Sequence, residues 1–106
     1  MITTDRFSEL AISFPGTVQQ PHFERTAFKV EGKRIFASVD DNSQSSNIRL
    51  SPEEQHAFCQ LNPDAIYPVA NKYGLQGWTT FDLRILPENI IDAALYSAYN
   101  LTFSQK

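Results

Sequence analysis

Residues 28–40 read "FKVEGKRIFASVD", and their pattern decides the fold. Apolar residues alternate on both sides of Glu31, Gly32 and Lys33, which is the period of two that a half-buried strand requires. Gly32 supplies the positive φ that a tight reversal needs. The stretch therefore predicts a hairpin, with Phe28, Val30, Ile35, Ala37 and Val39 on one face and Lys29, Arg34, Phe36 and Ser38 on the other.

Upstream, Phe7, Leu10, Ala11 and Phe14 recur at the spacing of one helical face, predicting a helix over residues 4–13 that Phe14-Pro15-Gly16 stops. Downstream, the tract "DDNSQSS" at residues 40–46 is too polar to bury a core face, and it reads as a longer loop before a short strand over residues 47–50. Ser51-Pro52-Glu53-Glu54 then combines a serine cap, a proline at the first helical position and a glutamate three residues after the cap. A helix begins there. It carries Ala57, Phe58 and Leu61 inward and ends near Pro63. "DAIYPVANKYG" reads as an irregular connection into a strand over residues 76–83. A last helix starts at Pro87 and Glu88, with Ile91, Ala94, Leu95 and Ala98 inward and Ile90 and Leu101 flanking them.

This order predicts an α+β fold: a mainly antiparallel sheet with three helices packed on one face and the other face open. With 106 residues and 42% hydrophobic content, we expect a single domain over residues 1–106. No apolar run approaches the roughly 20 residues of a membrane span, and the opening "MITTDRFSEL" lacks the segments of a secretion signal. A soluble, cytoplasmic protein is the expectation, with a monomer as the favoured state. One cysteine, Cys59, allows no internal disulfide. The net charge of -3 and pI near 5.2 provide no bulk attraction to phosphate, so nucleic-acid binding would have to come from a local basic patch.

The open face has the composition of such a patch. The same period of two adds Asn47 and Arg49, then Trp78, Thr80 and Asp82, to the outward set. Trp78 and Phe36 beside Lys29 and Arg49 can stack on a planar group while neutralising an anion. The alternative for Trp78 is a cover formed by Tyr67, Pro68 and Tyr73. His22, after Pro21 in an extended segment, is a further candidate contact for a ligand or for its strand neighbours.

Catalytic signals are sparse. His56 and Cys59 share a helix face, yet a zinc site needs about four ligands or three and a water, and only His22 remains as another nitrogen donor. Cys59 reads as a small core residue and His56 as a surface one. We expect no enzyme, no cofactor and no metal.

Taken together, "AISFPGTVQQPHFERTAFKVEGKRIFASV", "LSPEEQHAF" and "NKYGLQGWTTFDL" resemble the bacterial MmcQ/YjbR family, small proteins labelled DNA-binding. The resemblance covers residues 11–98. It implies a fold similar to that of the frataxin homologue CyaY, with strands acting as paired wings on DNA. It also implies contacts from Lys29, Lys33, Arg49, Lys72 and Trp78. The chain departs from the family pattern at Tyr73, Leu75 and Thr80, which thins the positive patch. The resulting expectation is weak, salt-dependent DNA binding by a basic and aromatic sheet face. The alternative is a small-molecule or protein-interaction module with no DNA binding.

Overall fold

The computed structural model describes residues 1–104. Thr3 Oγ1 accepts the Arg6 amide at 3.0 Å and starts α1, Thr4–Ile12. Four strands follow, β1 Thr17–His22, β2 Arg25–Val30, β3 Ile35–Asp40 and β4 Ser45–Arg49. Ser51 Oγ accepts the Glu54 amide at 3.2 Å and caps α2, Pro52–Leu61, as the sequence predicts. Then come β5 Ile66–Pro68, the one-turn α3 Lys72–Leu75, β6 Trp78–Asp82 and α4 Glu88–Ser104. The fold is α+β: one antiparallel sheet in the order β1-β2-β3-β4-β6-β5.

Three helices cover one sheet face, as ring contacts from each of them show. Phe7 of α1 meets Phe28 at 5.9 Å, Tyr99 of α4 meets Phe36 at 6.0 Å, and Phe58 of α2 meets Phe81 at 5.9 Å. Phe28, Ala37, Ile48, Phe81, Leu83, Ile91 and Leu95 are completely buried between these layers. The strand alternation and the stripe of the last helix assign these residues inward. Among the described residues the helices number four, because α3 is an addition to the three expected.

One inward and one outward assignment, Ile35 and Phe36, exchange places at a β-bulge. Phe28 pairs with Ala37 but Lys29 pairs with Ile35, so Phe36 is the extra residue on β3. A bulge breaks the period of two. Phe36 consequently turns into the core, only 1% exposed, and Ile35 turns to the open face. The expectation that Phe36 stacks on a ligand is corrected on this ground.

Three further differences have local causes. The expected loop over residues 40–46 shrinks to a turn at 41–44, since Asp40 ends β3 and Ser45 and Ser46 open β4: Asp40 Oδ1 accepts the Asn42 amide at 3.0 Å and Oδ2 accepts the Ser43 hydroxyl at 3.0 Å, an Asx-type reversal. The proline-interrupted connection contains β5 and α3; β5 is an edge strand, the place where Pro68 costs no ladder bond. Finally, α2 lies over that edge, so Phe58 and Cys59 touch the core while Ala57 and Leu61 are exposed. Gln55 fills the space instead, its Nε2 reaching the Gly74 and Trp78 carbonyls at 3.0 and 3.2 Å and Thr79 Oγ1 at 3.1 Å.

Candidate binding site on the open sheet face

Ala27, Ser38, Asn47, Thr80 and Tyr67 lie in register across five strands, and this row faces away from the helices. In the neighbouring row Arg49 stands opposite Trp78. The side chains rise around a pocket of about 420 Å³. His22 and Phe23, at the end of β1 and in the turn after it, form one wall. Val69, Asn71 and Tyr73, with Trp78 of β6, form the other, and Arg25, Ile35, Ser38 and Asn47 lie between.

The Trp78 wall is held from both ends. Gly77, at φ 104°, brings its carbonyl to the Leu50 amide at 2.9 Å, and a Cβ on it would stand 1.8 Å from the Leu50 oxygen. Only glycine fits there. The Val69 amide donates to the Trp78 carbonyl at 3.0 Å, and Asn71 caps α3 by accepting the Tyr73 amide at 2.9 Å. Trp78 is half-buried and lines the pocket together with Val69, Asn71 and Tyr73 of the connection.

Arg25 is the charged residue between the two walls. Its Nε donates to Ser38 Oγ at 2.9 Å and Nη1 lies 3.7 Å from Asp40 Oδ2, while Nη2 is buried without a hydrogen-bond partner. Burial draws its pKa below the ordinary arginine value, against the opposing pull of Asp40. Asn47 Oδ1 accepts the Thr80 hydroxyl at 2.8 Å. Beyond the pocket, burial lowers the pKa of Arg49, and the neighbouring Arg34 charge lowers it further. Arg49, which pairs with Trp78 across β4 and β6, thus has a second cation, Arg34, near enough to repel it.

The structure brings together most of the residues that the sequence singles out. Trp78 and His22 line the pocket, Arg49 adjoins Trp78, and Lys29 pairs with the pocket residue Ile35. Lys72 Nζ stands 5.6 Å from the ring centre of Tyr73. Lys33 is elsewhere, with its ammonium 5.3 Å from the ring of Phe103 on α4. The sequence reading missed Phe23 and Arg25. Recognising a two-residue turn at Phe23-Glu24, between "QQPH" and "RTAF", would have placed both beside His22. Outside the pocket, His56 Nε2 and Gln60 Nε2 are 2.9 Å apart on α2, and burial pushes the Cys59 thiol up, away from a reactive thiolate.

The family model for YjbR matches residues 12–101. The chain belongs to the YjbR family. The crystal structure of Deinococcus radiodurans protein DR2400, described by its family-model domain DUF419, is similar with a TM-score of 0.84 and 23% sequence identity. The match covers 99% of this chain and 81% of that one. At this identity the likeness concerns the fold. No curated protein matches the sequence. Within this YjbR-family chain, no helix among the described residues is long and apolar enough to cross a membrane.

Proposed function

We propose that this YjbR-family domain is a binding module, not an enzyme, and that it takes single-stranded DNA on its open sheet face. The observation that carries the reading is the pocket walled by Trp78 and Tyr73 beside Arg49 and Arg34. A base paired inside a duplex is stacked on both faces and cannot enter such a pocket; an unstacked base can. Lys29, Arg34, Arg49 and Lys72 supply phosphate contacts around it. With a net charge of -3, the module has no long-range attraction to add, so binding is micromolar and falls steeply with salt.

Fluorescence anisotropy with labelled single-stranded and duplex oligonucleotides, at low and physiological salt, tests the proposal. Trp78 is the chain's only tryptophan, so its emission reports on the pocket in the same titration. Single strands should bind more tightly than duplexes, lose affinity with salt and quench Trp78. Absence of binding at low salt would sink the reading. The pocket volume also favours a second one, a free planar small molecule, since about 300 to 1,000 Å³ is the range of small-ligand sites. That ligand would quench Trp78 saturably with little dependence on salt.

A further inference from the structure

Phe23 carries two costs that folding does not explain. It sits at φ 59° in the two-residue turn closed by the His22–Arg25 pair, a backbone that glycine adopts freely and a bulky side chain does not. It is also 94% exposed, and its one ring–ring contact among the described residues is with His22, at 4.9 Å between centres. The two other hairpins resolve the same demand differently. Gly32 occupies the position at φ 79°, and Gln44, at φ 52°, presents its carbonyl to the Leu83 amide at 3.0 Å. Phe23 has no such return within the fold, but it lines the pocket.

Two residues on, Arg25 lines the same pocket and leaves Nη2 buried with no hydrogen-bond partner among the described residues. A buried donor without an acceptor is costly. Arg25 lines the pocket, and a rotation of its guanidinium that brings Nη2 to the pocket surface would let a carbonyl oxygen seated there supply the acceptor. Strained, exposed or unsatisfied groups that converge on one cavity point to the ligand that relieves them.

We propose that the tip of the β1–β2 hairpin grips the ligand. The Phe23 ring stacks on the planar face of an unstacked base and Arg25 donates to a carbonyl on its edge, so the pocket selects keto bases such as thymine over adenine, which has no carbonyl. The proposal rests on the nucleic-acid reading and names the base class that the site takes.

Anisotropy with twelve-nucleotide oligothymidylate and oligoadenylate, on the wild type and on Phe23→Gly and Arg25→Lys, tests it alongside thermal melts. The wild type should prefer oligothymidylate. Phe23→Gly should weaken both complexes roughly five- to a hundredfold, as expected when one stacking ring is lost, while its melting temperature holds or rises because the turn is relaxed. Oligoadenylate also stacks on itself, so the Arg25→Lys arm carries the edge assignment: keeping the charge and losing the fork should abolish the thymidylate preference. Unchanged affinity in Phe23→Gly, or an unchanged preference in Arg25→Lys, would overturn the grip while leaving the nucleic-acid reading in place. Wild-type protein that binds neither oligonucleotide would overturn both.

Discussion

At the β2–β3 turn the left-handed position is Gly32, where an added Cβ would meet nothing within 4 Å. At the β1–β2 turn it is Phe23, bulky and 94% exposed. Space does not separate the two positions, since both face solvent; the backbone demand is shared and only the residue differs. One turn agrees with its local chemistry, as turns on a folding scaffold should. The other disagrees with it at the rim of the pocket. On the proposed grip, two demands on the sheet are spatially separated: β2–β3 and the helices beneath serve stability, and the tip of β1–β2 serves the open face.

Gly77 is where the comparison should show its largest effect, because there the conformational and steric constraints coincide. Gly77→Ala combines strain of roughly 1 to 3 kcal/mol with displacement of the Leu50 peptide, and a loss near 4 kcal/mol is expected from urea denaturation. A loss smaller than that of Gly32→Ala would break the ranking. Next comes the binding side of the sheet. Trp78→Ala should cost about 1 to 3 kcal/mol of oligonucleotide affinity, with a thermal melt to confirm that the variant is folded. Arg49→Ala should reduce the salt slope by about one and weaken all sequences alike.

Gly32→Ala then opposes the two turns directly. With open space around the position and φ at 79°, only the left-handed penalty of about 1 to 2 kcal/mol applies. Stability by urea titration should fall by that amount, whereas Phe23→Gly should cause no loss. If both substitutions destabilise equally, Phe23 is part of the scaffold and the contrast fails.

The elements that were legible in the sequence are those with a local cause. The serine of "SPEE" and the stripe of Ile91, Ala94, Leu95 and Ala98 were each readable because one short segment contains both signal and consequence. The exchange of Ile35 and Phe36 was not, since counting by two passes straight through a bulge whose evidence lies in the pairing with Lys29. β5 is too short to show any period, and Pro68 disguises it. For the site, Trp78, Arg49 and Lys29 follow from alternation once the strands are set. Phe23 and Arg25 do not, because a strained φ and an unpartnered guanidinium nitrogen exist only after β1 and β2 have paired.

The smallest expected effect is acid sensitivity, and it separates the scaffold's carboxylates from the grip. Asp82 accepts Arg84 Nε at 3.1 Å and Nη2 at 3.0 Å, and those bonds, together with the Arg84 amide, hold its carboxyl below the usual carboxylate range. Asp40 is lowered first by the Asn42 amide and the Ser43 hydroxyl of its own turn, and only weakly by Arg25. A depressed carboxyl stabilises the fold above its unfolded value near 3.9 and loses that contribution as pH falls through the folded value. Stability should therefore be level with respect to these two groups near neutrality and decline below about pH 4. Asp82→Asn should make that decline shallower in urea titrations across the acid range, by a small margin because Arg84 is largely exposed. An unchanged acid limb would mean that Asp82 is equally well solvated in the unfolded chain.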